Sequence, residues 1–239
     1  MWQEGGDVIQ ESIGSFLAAA AALGTAAYGL VDASKALRGG VSNLGFRSIA
    51  TAVTPLIPGG AGAAFTRKEV LATLEANWLN GVAKADQKAA AKSLIRLGVT
   101  PASADALARA TGIDPPTFKS LAVNIAKGKP LTPAELTVLG RFDTVVSASL
   151  DAGYERADQQ YRTGAKLVAA VVAVALALVG GGILFFEGAP GATIGGYLAS
   201  RDILIAFLVG LMATPLAPIA KDLTSSLAAA VKAISSVRR

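Results

Sequence analysis

The sequence predicts an all-α, polytopic membrane protein: three transmembrane helices, a small helical cytoplasmic domain between the first and second, and a long helix running into the second span. Three observations carry this expectation. Leu167 to Phe186, LVAAVVAVALALVGGGILFF, is a run of twenty residues without a charge. At 1.5 Å rise per residue, a helix of that length spans roughly 30 Å, the thickness of a bilayer's hydrocarbon core. The composition agrees, with 52% hydrophobic residues, 16% charged and a mean hydropathy of +0.50, whereas soluble domains are about one quarter charged. Finally, no period-2 run is long enough for a strand, while helical spacings recur along the chain.

Residues 1–11 form a short, acidic, external N-terminus with Glu4, Asp7 and Glu11 and no Lys or Arg, which lacks the positive start of a secretory signal. The first span is 12–31, SIGSFLAAAAALGTAAYGLV, rich in Ala and Gly and closed by Asp32, Lys35 and Arg38. Residues 32–65 read as a linker. Gly39-Gly40, Pro55, Pro58 and Gly59-Gly60 break it, and between them Leu44, Ile49, Val53 and Leu56 line one side of a short helix. That helix either lies in the membrane interface beside Arg47 or packs on the domain that follows.

The domain covers 66–132. Thr66 to Glu69 is a capping box, in which each side chain satisfies the other residue's orphan backbone N–H, and Val70, Leu71, Leu74, Trp78, Leu79 and Val82 follow at helical spacing. A second helix runs from about Ala85 to Leu97 and stops at Gly98. Thr100-Pro101, Asp114-Pro115 and Thr132-Pro133 each place a cap residue before a proline, whose missing N–H costs nothing in the first turn. Each pair is expected to open a helix.

The helix opened by Thr132-Pro133 has no breaker before Gly180. Its charged part, 133–166, therefore continues into the span 167–186 as one rod. Along one face Ser149, Gly153, Ala157, Ala165, Ala169, Ala173, Ala177 and Gly181 recur at spacing four, with Tyr161 as the interruption. Small residues at that spacing let helix backbones approach closely in lipid. The face is a packing surface, either for another segment of the chain or for a second copy. Residues 187–202 form an external loop, and 203–219 are the third span, with Pro215 and Pro218 in its last turns. Residues 220–239 form a cytoplasmic amphipathic tail with Leu223, Leu227, Ala230 and Ile234 on one face.

Charge orients the chain. With the N-terminus outside and the C-terminus inside, every Lys and Arg of the chain except Arg201 lies on the inner side. Lys35, Arg38, Arg156, Arg162, Lys166 and Lys221 flank the spans there, as the positive-inside rule requires. A bacterial inner membrane is the expected location.

The absence of cysteine and histidine removes thiolate and imidazole chemistry and the usual zinc ligands. No charge lies within a span, which argues against coupled ion transport. No phosphate loop or nucleophile elbow is present. The acidic residues of the inner domain stand singly among bases and read as solvated faces. These observations point to a non-enzymatic protein with no cofactor and no metal. Ala104 to Pro130, ADALARATGIDPPTFKSLAVNIAKGKP, resembles the repressor-type helix-turn-helix family through Leu107, Ala108, Thr111, Gly112 and Ile113. That resemblance implies DNA binding by a tethered regulator. Pro115 and Pro116 at the start of the second helix depart from the pattern, and Lys119, Lys127 and Lys129 bring no Arg to read guanine. Nucleic acid is therefore not the expected partner. The leading expectation is an anchor or scaffold that associates with itself or with a cytoplasmic protein at the lipid bilayer. The alternative is a homo-oligomeric channel.

Overall fold

The computed structural model describes residues 2–34, 39–57 and 64–218, with the backbone alone for 2–14. Lys35, Arg38, the breakers at 58–60, Lys221 and the tail 220–239 lie outside the described residues. Among those described, all regular structure is helical. The elements are α1 (Trp2–Ala33), α2 (Ser42–Val53), α3 (Arg67–Leu79), α4 (Lys84–Leu97), α5 (Ala104–Thr111), α6 (Pro115–Ala126), α7 (Pro133–Gly188), α8 (Ile194–Leu198) and α9 (Arg201–Pro218).

Three helices are long and apolar enough to cross a membrane: Ser15–Ala33 within α1, α7, and α9. The richest window lies in α7, with a mean hydropathy of 2.7 against 1.5 in the other two. Large apolar side chains along them stand exposed, among them Leu167, Val171, Ile183, Leu204 and Leu208, as helices surrounded by hydrocarbon require. The chain divides into two compact units, one of residues up to 38 together with those from 163 onward, the other Gly39–Arg162. α7 contributes to both.

The Gly39–Arg162 unit has its own core. Ile49 and Val53 of α2, Val70 and Leu74 of α3, Ile95 of α4, Leu107 of α5, Phe118 and Leu121 of α6, and Phe142, Val146, Leu150 and Tyr154 of α7 are all buried. Phe118 and Phe142 pack with ring centroids 5.0 Å apart. α2 is thus a full member of this core, so the compact unit begins well before Thr66 and takes in the first half of α7. The apolar face Ile49–Val53–Leu56 covers α3 and α7 rather than lying free, while Leu44, read as part of the same face, is 45% exposed.

Side-chain caps set where α3, α6 and α7 begin. Thr66 Oγ1 accepts from the Glu69 N–H at 3.2 Å, and Glu69 Oε2 accepts from the Thr66 N–H at 2.8 Å. Asp114 accepts from the Thr117 N–H at 3.0 Å, and Thr132 from the Glu135 N–H at 3.3 Å. Thr100-Pro101 behaves differently. It forms a turn in which the Ser103 N–H donates to Thr100 Oγ1 and Ser103 Oγ donates to the Gly98 carbonyl. α5 therefore starts at Ala104, three residues later than a Pro-at-first-turn reading places it. Gly112 closes α5 in the left-handed region at φ +64°, a conformation that costs an L side chain about 1–2 kcal/mol.

α7 runs unbroken for 56 residues, through Gly180-Gly181-Gly182 to Gly188. The stretch 187–202 is not a simple loop. It holds the end of α7 and the short α8, whose Thr193 caps the Gly196 N–H at 3.1 Å.

Candidate functional site

The small-residue face of α7 is occupied along its length by segments of the same chain, in each unit separately. In the Gly39–Arg162 unit, Gly153 and Ala157 meet α2. A Cβ added at Gly153 would stand 2.7 Å from the Ala52 Cβ, and one added at Gly45 would stand 2.7 Å from the Ala157 carbonyl oxygen. Ser149 is half-buried beside them. Tyr161 interrupts the face because its neighbour changes there. Its ring meets Trp78 edge-on at 6.4 Å, and the Trp78 indole N–H donates to the Ser42 carbonyl at 2.9 Å.

In the other unit, Ala165 is half-buried, Ala169 and Ala173 are fully buried and Ala177 nearly so. They face α9. A Cβ at Gly210 would stand 2.6 Å from the Val174 Cα, and one at Gly181 would stand 2.8 Å from the Ala206 Cβ. α1 approaches α9 as closely, since a Cβ at Gly24 would collide with the backbone of Ala213. Gly24, Gly210 and Ala206 were not singled out in the sequence. The available signal was the run of small residues Ala206, Gly210, Ala213 and Ala217 along α9. Tyr197 of α8 closes the Gly181–Gly182 end of this contact. Its hydroxyl donates to the Leu178 carbonyl at 2.8 Å, and its ring lies against Gly182 and Phe185. Gly181 and Gly182 are the seat for that side chain, while Gly180 faces open space.

Of the membrane-flanking bases, Arg156, Arg162 and Lys166 are exposed. Arg162 donates to Asp158 at 3.0 Å, one turn away, and that carboxylate raises its already high pKa. Lys35, Arg38 and Lys221 are the three that lie outside the described residues.

Several acidic residues of the Gly39–Arg162 unit are exposed, as a solvated face would be, but Asp143, Asp151 and Glu155 do not stand singly, and Glu135 is buried. α4 and α7 run antiparallel and meet through a ladder. Lys84 pairs with Glu155 at 2.6 Å, Lys88 with Asp151 at 2.7 Å, Lys92 with Ser147 at 3.1 Å and Arg96 with Asp143 at 2.6 Å. Four donors on every fourth residue of one helix thus face four acceptors on every fourth residue of the other.

Glu135 is only 3% exposed. It accepts from the Thr132 N–H and Oγ1 at 2.8 and 3.0 Å, and from Ser120 Oγ and Asn124 Nδ2 at 2.8 Å each. These donors hold its carboxyl below the usual range, the Thr132 backbone most strongly. The α5–α6 pair does form the two helices of the helix-turn-helix pattern. However, α6 turns Ser120 and Asn124 inward to Glu135, and Lys119 leans on Asp105 at 3.4 Å. Ser120 and Asn124 are thus engaged by Glu135, while the side chains of Lys119 and Asp105 stay exposed.

Fold and site together define a class: a three-span helical membrane protein carrying a compact helical unit on the helix that forms its second span. No family model matches the chain, and neither a curated protein nor a solved structure matches it.

Proposed function

We propose that the protein is a non-enzymatic anchor in a bacterial inner membrane that holds a partner protein through its Gly39–Arg162 unit, with the N-terminus outside and the C-terminus in the cytoplasm. The observation that carries this reading is α7: one unbroken 56-residue helix serves both as a wall of that unit's core and as the most apolar span. A unit built around its own membrane helix suits holding rather than turnover. The orientation is supported by the basic flank Arg156, Arg162 and Lys166 ahead of the second span.

The docking surface is sought among large apolar side chains left exposed on this unit: Leu97 at 56%, Leu136 at 55% and Ile125 at 43%. Apolar anchors of this kind dominate binding energy where partners meet. Cutting out 66–132 is a poor test, because it would bare Phe142, Val146 and Leu150. The better test is the mass and composition of the full chain extracted in mild detergent, compared with Leu97→Glu, Ile125→Glu and Leu136→Glu. The expected result is a foreign protein at fixed stoichiometry, lost in at least one variant whose thermal midpoint is unchanged. A complex of this chain alone, or a foreign protein retained by all three variants, sinks the reading.

A further inference from the structure

We propose that the membrane unit binds one phospholipid with a primary-amine head, phosphatidylethanolamine, one acyl chain lying in a pocket between α1, α7 and α9 and the ammonium on Asp202. The pocket holds about 640 Å³. One end is lined by Leu23, Leu176 and Val209, and the other, beside the start of α9, by Gly188, Ala189 and Asp202. From Leu176 to Gly188 the α7 axis advances about 18 Å at 1.5 Å per residue. One leaflet's chain occupies about 15 Å, half of the hydrocarbon core. The pocket is therefore as long as a single acyl chain, and it ends where a head group would be.

The lining is apolar apart from the one carboxylate, at the Gly188 end. Asp202 is exposed, and no ion pair or side-chain hydrogen bond to its carboxylate is present among the described residues. Arg201, next to it in the first turn of α9, is exposed as well. Of these two, Asp202 lines the pocket, and its carboxylate suits the ammonium of a zwitterionic head. An anionic head without an amine would leave Asp202 unpaired beside a second negative charge. Glycine makes the room. A Cβ at Gly180 or at Gly188, both lining residues, would meet no atom within 4 Å, in contrast to the tightly packed Gly181 one residue away.

This inference stands apart from the anchoring role, since it concerns the spans alone. The test is native mass spectrometry of the full chain in detergent supplied with equal amounts of phosphatidylethanolamine and phosphatidylglycerol of identical acyl chains. One phosphatidylethanolamine per chain is expected, favoured at least fivefold over phosphatidylglycerol. Gly180→Leu fills the pocket and should lower its retention at least fivefold. Gly188→Val repeats the test should Gly180→Leu misfold. Asp202→Asn should retain lipid but lose the preference. Equal binding of the two lipids by the unaltered chain, undiminished retention in the filled variant, or a second protein copy released in place of lipid overturns the proposal.

Discussion

Removing the hydroxyl of Tyr154 should stabilise the protein, because nothing in the core repays its burial. The side chain is fully buried, its Oη has no hydrogen-bond partner among the described residues, and burial pushes its pKa up to about 12. Tyr154→Phe keeps the ring and discards the unsatisfied group, a gain of about 1 kcal/mol. The thermal midpoint in detergent should rise by about 2–4 °C, and a fall would mean the hydroxyl has a partner in solution. Glu135 is the opposite case, a buried charge fully supplied with donors. Its folded-state pKa lies below the ordinary 4.5. The stability it contributes is therefore complete above the unfolded value and lost as pH falls through the folded one. Glu135→Gln should be less stable than the parent at neutral pH, and the gap should close on acidification. Melting curves of both proteins from about pH 7 to pH 3 check this; a gap that stays constant would mean the donors do not discriminate charge.

At the scale of elements, the ladder between α4 and α7 makes a prediction about pairs. Exposed ion pairs contribute roughly 0.2–1 kcal/mol each, and the Lys88–Asp151 pair is partly exposed on both sides. Lys88→Asp alone places two acids together and should destabilise by about 1 kcal/mol. Combining it with Asp151→Lys should restore most of the loss, and added salt should shrink both effects. A double variant no better than the single would mean the ladder is geometric rather than energetic. This ladder also marks where sequence reasoning stopped. Caps at Thr66, Asp114 and Thr132 were legible because their chemistry closes within three residues. The second span was legible because hydrocarbon imposes its length. The ladder joins residues 47 to 71 positions apart, and each half, taken alone, reads as an ordinary wet helix face. α2 was ambiguous for a related reason: its apolar side suited a bilayer surface and a protein core equally, and only packing against α3 and α7 decides between them. The small-residue face of α7 was visible as a pattern. Which partners fill it was not, since α9 carries the matching glycine with few outward signs beyond a scatter of alanines.

For the whole molecule, orientation is the property to measure first, and a chain without cysteine lends itself to it. Ala102 and Ala199 are exposed, one in the Gly39–Arg162 unit and one between α8 and α9. In intact cells a membrane-impermeant maleimide should label Ala199→Cys at once and Ala102→Cys only after permeabilisation; the reverse pattern would place the compact unit outside. Within that unit, the even spacing of the α4–α7 ladder has a consequence for alignment. Slide α4 by one turn, about 5.4 Å, and Lys88 meets Glu155, Lys92 meets Asp151 and Arg96 meets Ser147. Most of the cations find an oxygen again, so the charges form a ratchet with nearly equivalent teeth. What selects one tooth is the difference in bulk between Ala91 and Ile95, both buried beneath them: a slipped helix would drive isoleucine into an alanine-sized socket. The apolar side chains act as the pawl, and Ile95→Ala, by levelling the two sockets, would leave α4 free to settle in more than one register.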